Sequence, residues 1–152
     1  MTTPFDYTEI EASGWKRLRS AGPFMELTSD LWRRIEGAKG DAAVTEYGLL
    51  TEKKHLNSAG TVHGGFLVTL IDQIISIEAW EAANRKPLAT IQLDTHFVGA
   101  VREGEWIVGR ATVEQKTRSM VFLSAHFSSA KGIVARAQGI MKLLNKGPQS
   151  QS

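Results

Sequence analysis

Between Phe66 and Trp80 the chain carries Leu67, Val68, Leu70, Ile71, Ile74, Ile75 and Ile77, which cover most of the circumference of a helix rather than one stripe. Such a helix is buried on nearly all sides, so the rest of the chain has to wrap it. Asn84 to Pro87 ends it. The flanking segments read as strands. Leu31 to Glu36 and Ala43 to Thr51 precede the helix, joined by the turn-rich Gly37 to Asp41. Thr90 to Phe97, Trp106 to Val113, Met120 to Phe127 and Ile133 to Leu144 follow it. The gaps at Arg102-Glu103-Gly104, Gln115 to Arg118 and Ala130-Lys131-Gly132 are of hairpin length, which predicts a four-stranded meander. The expected class is α+β, with an antiparallel sheet wrapped around one long central helix.

A chain of 152 residues is the size of one domain. Residues 1–22 are expected to form a short helical extension packed across the domain and ended by Gly22-Pro23. Residues 23–145 form the domain, and 146–152 a disordered tail. With 42% hydrophobic and 22% charged residues, the composition is that of a soluble globular protein. The net charge is only +2 and there is no long basic run, so charge gives no case for nucleic acid. The absence of cysteine removes disulfides, a thiolate nucleophile and any Cys-ligated zinc site. Met1 to Ile10 lacks a secretory signal pattern, and the apolar run is broken by Asp72, Gln73 and Glu78 and too short for a bilayer. The expected location is cytoplasmic, with no membrane partner.

Asp72 is the oddest residue. It lies in mid-helix with Val68, Ile71, Ile75 and Ser76 at helical spacing and no Lys or Arg within a turn. One reading is a narrow solvated face shared with Ser76 and Glu78. The other is a carboxylate lining a cleft, available as nucleophile or general base. The preceding loop, Asn57-Ser58-Ala59-Gly60-Thr61-Val62-His63-Gly64-Gly65, runs straight into the helix start. Its glycines let a ligand approach the backbone, and free N–H groups at a helix N-terminus favour an anion. Acyl transfer needs such donors, because the attacked carbonyl develops an oxyanion. His63 either serves that oxyanion or fixes its own loop, and Asn57 is equally readable as a turn residue.

From Asn57 to Asp72 the sequence resembles the signature of the phenylacetate-pathway (PaaI-type) group of hotdog-fold thioesterases, close to the 4-hydroxybenzoyl-CoA thioesterase-like family. The pattern is Asn, a short gap, Gly-x-x-His-Gly-Gly, then an acidic residue within the helix, and every position is filled. The likeness continues through Ala89 to Phe97, Gly104-Glu105-Trp106, Gln115 to Phe122 and the last strand near Lys142, roughly residues 24–144. It implies a hotdog fold dimerising through the sheet, as a homodimer or a dimer of dimers.

The activity implied is hydrolysis of an acyl-CoA to free acid and CoA, with no cofactor beyond the CoA of the substrate. Asp72 is then the nucleophile or the base that activates water, and the Gly64 N–H polarises the thioester carbonyl. Asn57 holds the attacking water or the thioester, His63 supports the oxyanion loop, and Thr90 supplies a hydroxyl that positions water. The resemblance also implies a site between two protomers, with Asp72 facing the partner's Gly64 loop. Arg118, Lys116, Ser119 and Gly65 are the candidates for binding CoA, although Lys116 and Arg118 also read as solvated hairpin charges. Phe66, Trp80, Phe97 and Met120 are candidates to shape the acyl pocket.

Other readings are weaker. No Gly-x-Ser-x-Gly elbow accompanies His63-Gly64-Gly65, which excludes an α/β-hydrolase. His55, His63, His96 and His126 show no metal-ligand pairing, so no metal is expected. A hotdog hydratase or dehydratase remains an alternative, as does a non-catalytic acyl-CoA sensor, although a sensor gains little from a buried carboxylate.

Overall fold

The structure, a computed structural model, describes residues 6–19, 22–37 and 43–145. The turn expected at Gly37 to Asp41 and the tail at 146–152 fall largely or wholly outside these. In chain order the elements are α1 (Tyr7–Ala12), β1 (Lys16–Arg17), a single helical turn α2 (Pro23–Glu26), β2 (Trp32–Glu36), β3 (Val44–Leu50), α3 (Gly64–Ala82), β4 (Leu88–Phe97), β5 (Trp106–Lys116), β6 (Met120–Ser129) and β7 (Gly132–Leu143). The strands make one antiparallel sheet in the order β1-β2-β3-β5-β6-β7-β4, with α3 laid across it. This is the hotdog layout expected from the sequence.

Three expectations are corrected. The strands after the helix form a three-stranded meander, β5-β6-β7, not a four-stranded one. Strand β4 pairs only with β7 and forms an edge of the sheet, while β5 lies beside β3. Arg102-Glu103-Gly104 therefore closes no hairpin but ends a crossing. That crossing is pinned by Val62 N–H to Val101 O (2.8 Å) and by the buried Thr51, whose hydroxyl donates to the Arg102 carbonyl (2.6 Å). Hairpin length is a local signal, whereas strand partners are chosen by which edges α3 leaves free.

Nor is α3 buried nearly all round. Leu67, Leu70, Ile71, Ile74, Ile75 and Ala79 are buried, one broad stripe facing the sheet. Burying each of the larger side chains contributes roughly 1.5–3 kcal/mol. Val68 and Ile77, which widen the apolar arc in the sequence, are only half-buried, and Trp80 is exposed. Gly139 on β7 lets the helix approach the sheet, since a Cβ there would meet Ile75 Cδ1 at 3.1 Å.

The N-terminal helix, finally, is short, and Gly22-Pro23 starts a helical turn instead of ending one, with Pro23 in the first-turn position that proline suits. Trp15 and β1 join the sheet edge: Trp15 is buried against Trp106 and beneath the Arg34 guanidinium. Arg34 and Arg110 both bond the buried Glu46. Burial alone would raise that carboxyl, but the two guanidiniums hold it below the usual carboxylate range.

Candidate functional site

The loop before α3 is closed by its own residues. The Asn57 side-chain oxygen accepts from the backbone N–H of Ala59 (2.9 Å) and Thr61 (3.3 Å), and its amide nitrogen donates to Thr61 Oγ1 (3.0 Å). Asn57 is thus a turn-closing residue in this chain. Val62 bridges back to Leu56, and the His63 N–H donates to the His55 carbonyl at 2.8 Å.

His55, buried, anchors the base of the loop. Its Nδ1 accepts the Glu52 N–H (2.9 Å), its Nε2 lies 3.0 Å from the Thr28 carbonyl, and its ring stacks on Phe66 with centroids 3.9 Å apart. Burial pushes its imidazole below the usual range and outweighs the contact with Thr28 and the charge of Glu52. The sequence reading gave His55 no role; its only signal was a histidine in an otherwise polar segment.

At the helix start His63 is the N-cap. Its Nδ1 accepts the Gly65 N–H at 2.9 Å, which places the ring proton on Nε2. The N–H groups of Phe66 and Leu67 go to the His63 carbonyl (2.9 and 3.2 Å). Of the first-turn donors this leaves Gly64, whose N–H has no partner among the described residues. It therefore stands at the positive end of a 19-residue helix, where a negatively charged oxygen is favoured. The Phe97 ring lies over Gly64: a Cβ there would come within 3.1 Å of Phe97 Cζ. Gly65, by contrast, has its N–H taken by His63.

Asp72 lies two turns further along α3 and is half-buried. The Thr90 hydroxyl on β4 donates to Asp72 Oδ1 at 2.8 Å and also touches Met141 Sδ at 3.3 Å. Oδ2 has no partner among the described residues. Asp72 lines a pocket of about 360 Å³ together with Gly22, Pro23, Phe24, Met25, Thr69 and Gln73. The contribution of α2 to that pocket had no sequence signal, because it depends on where residues 22–26 are carried by the sheet edge. Asp72 is eight positions beyond Gly64 on the helix, about 12 Å along the axis.

The CoA candidates lie elsewhere. Lys116 Nζ donates to the carbonyl of Ala82, the last residue of α3, at 2.7 Å, so this cation caps the helix C-terminus. Ser119 accepts the Leu143 N–H within the turn between β5 and β6, and Arg118 is exposed in the same turn. Within one chain these three are at the opposite end of α3 from Gly64 and Gly65.

No helix among the described residues is long and apolar enough to cross a membrane. Comparison with known proteins adds the family. A sequence model described as the thioesterase superfamily matches residues 59–135, which include the His63 cap, Gly64, Asp72 and Thr90. A Pseudomonas aeruginosa protein named as an esterase is 30% identical over 131 residues, 86% of this chain and 95% of its own length. Human acyl-coenzyme A thioesterase 13 is 27% identical over 88 residues, 58% of this chain and 63% of its own. In structure, a Streptococcus pneumoniae thioesterase protein solved with coenzyme A superposes with a TM-score of 0.61 at 19% identity, covering 76% of this chain and 91% of that one, a likeness of fold alone. The chain belongs to the thioesterase superfamily, and its chemistry is thioester hydrolysis.

Proposed function

We propose that the protein hydrolyses acyl-CoA thioesters at a site shared by two protomers, with Asp72 of one and the Gly64 N–H of the other acting on the same carbonyl. The observation that carries the reading is the Thr90 bond to Asp72 Oδ1, which fixes a carboxylate that lines a pocket and leaves its second oxygen without a protein partner among the described residues. In the base-catalysed form Oδ2 takes a proton from water as the water oxygen attacks the thioester carbon. The carbonyl electrons move to oxygen, where the Gly64 N–H stabilises them. Collapse of the intermediate breaks the C–S bond, and the thiolate takes the proton back from Asp72. In the nucleophilic form Oδ2 attacks the carbon itself, the C–S bond breaks to expel the CoA thiolate, and a mixed anhydride forms. Water then cleaves the anhydride to the free acid and the Asp72 carboxylate, and the proton released goes to the thiolate. A thioester needs no Ser-His-Asp triad for either. His63 holds the oxyanion loop by capping the helix, and Asn57 closes that loop. CoA is present only as part of the substrate, and Arg118 remains an exposed cation suited to its phosphates.

The shared site is supported by two facts. Asp72 and Gly64 of one chain are about 12 Å apart along a rigid helix, too far to act on one carbonyl. And β4 offers an unpaired edge on which Ile91, Phe97 and the adjoining Val98 are 51%, 56% and 60% exposed, a surface that a second copy would cover by strand pairing about a two-fold axis. The relation to human acyl-coenzyme A thioesterase 13 supports the substrate class.

The test measures thiol release from a panel of acyl-CoAs by the wild type, by Asp72→Asn and by Gly64→Pro, and then by a co-refolded mixture of the two variants. Activity reappearing in the mixture is expected, because a mixed dimer contains one site with both intact groups. Two inactive variants that stay inactive when mixed sink the shared site. Acyl-CoA binding by the wild type without any thiol release leaves a sensor.

A further inference from the structure

The outer side of α3, beyond Asp72, borders a groove of about 1370 Å³ closed on its far side by the N-terminal segment and β2. Met25 and Gln73 line both this groove and the Asp72 pocket, so the two are continuous. Its helix wall runs through Ile77 to Trp80. These lie five and eight residues past Asp72, about 7.5 to 12 Å along the axis, the reach of a medium-length acyl chain.

Arg33 stands in the opposite wall. It is directly across from Tyr47 in the β2–β3 register, so it shares the face of the sheet that meets α3. Its Nε is shut from solvent without a partner, and its guanidinium makes no hydrogen bond or ion pair among the described residues. Four of the five carboxylates at or beside the groove are engaged elsewhere, and the fifth, Glu26, is exposed on α2 with no bond to Arg33. Glu78 accepts the Tyr47 hydroxyl at 2.6 Å, Glu81 faces Arg85, Asp30 faces Arg17, and Glu52 faces Lys54 and Ser29. Burial and Glu78 together push the Tyr47 phenol far up, so it stays protonated and donates to Glu78. An unpaired guanidinium beside an apolar wall costs stability unless a ligand meets it.

We infer that this groove receives the acyl chain and that Arg33 binds an oxygen acceptor at its far end, so the preferred substrates are medium-length acyl-CoAs ending in a carboxylate. The inference rests on the thioesterase reading for its orientation, with the thioester at Asp72 and the chain running towards Trp80. A terminal carboxylate matches a guanidinium by paired, charge-assisted hydrogen bonds, which a methyl end lacks.

The experiment compares suberoyl-CoA with octanoyl-CoA, equal in length and different only at the end, on the wild type, Arg33→Gln and Arg33→Lys. The kcat/KM ratio of the two substrates is expected to favour suberoyl-CoA by about tenfold or more in the wild type. It should fall to near unity in Arg33→Gln and to an intermediate value in Arg33→Lys. The same pairs are titrated calorimetrically on Asp72→Asn, with and without Arg33→Gln, where no turnover is needed. A binding preference that depends on Arg33 in the absence of any wild-type thiol release leaves the groove assignment standing and removes hydrolysis. A ratio that is near unity in the wild type, or that survives Arg33→Gln in a folded dimer, overturns it.

Discussion

Two stretches of the site differ in how their polar groups are satisfied. The segment from Glu52 to Gly65 spends its groups on itself: Asn57 closes the turn, His63 caps the helix, and His55 ties the base to Glu52 and Thr28. At the helix start it leaves the Gly64 N–H over. The Asp72 side is the reverse. Its carboxylate is met by a residue eighteen positions away on β4 and shares a pocket with α2, and that pocket runs on into a groove of mixed apolar and charged lining that holds the unpaired Arg33. Under the proposed mechanism the contrast has a reason: a group that stabilises an oxyanion has to be rigid before substrate arrives, whereas the acyl side must stay unfilled so that substrate can complete it.

The comparison breaks most sharply at Asp72. Asp72→Asn keeps the shape and removes the charge, and kcat is expected to fall by ~10²–10⁴ with Tm unaltered; a variant retaining wild-type turnover would discard the carboxylate. Next comes Gly64→Pro. Proline suits the first helical position and has no N–H, so the helix should persist while kcat drops by about 10²–10³. Full activity in that variant would mean that the oxyanion finds another donor.

Thr90→Val tests the borrowed side. Losing one hydrogen bond to a charged group should cost about 10–100-fold in kcat/KM, with the far-ultraviolet spectrum unchanged. An effect on Tm instead of on kcat/KM would make Thr90 structural.

The smallest effect is on pH and belongs to the self-contained loop. Burial holds His55 below the ordinary imidazole range, so the unfolded chain takes up a proton first as pH falls. The stability carried by neutral His55 is full above about pH 6.5 and is lost as pH drops from there towards its folded-state value. His126 is lowered in the same direction by burial, Arg110 and Arg136, and adds to the slope. Tm should fall on the order of 2–4 °C between neutral and mildly acidic pH, and less steeply in His55→Gln. An equal slope in the variant would assign the whole effect to His126 and the carboxylates.

Much of this was legible in the chain. The apolar run from Phe66 to Trp80 located α3 to within two residues at each end, and β-rich, partly alternating runs placed the long strands. Asp72 was conspicuous because a carboxylate amid isoleucines contradicts its surroundings, and the Gly-rich loop announced a helix start open to an anion. Lys116 was read as a CoA ligand or a solvated charge, yet it bonds the Ala82 carbonyl thirty-four residues away, a contact no local pattern carries. Arg33 looked like any strand arginine until the register put it opposite Tyr47.

The sequence by itself determined the long helix, the long strands and a glycine-rich helix start with free N–H groups, because these depend on neighbours within a turn or two of chain. Only the tertiary structure decided that β4 becomes an edge strand, that Thr90 reaches Asp72, and that α2 and β2 wall a groove beside α3. Those outcomes turn on which strand edges remain unpaired once the helix is covered, a competition among distant segments that no local stretch of residues records.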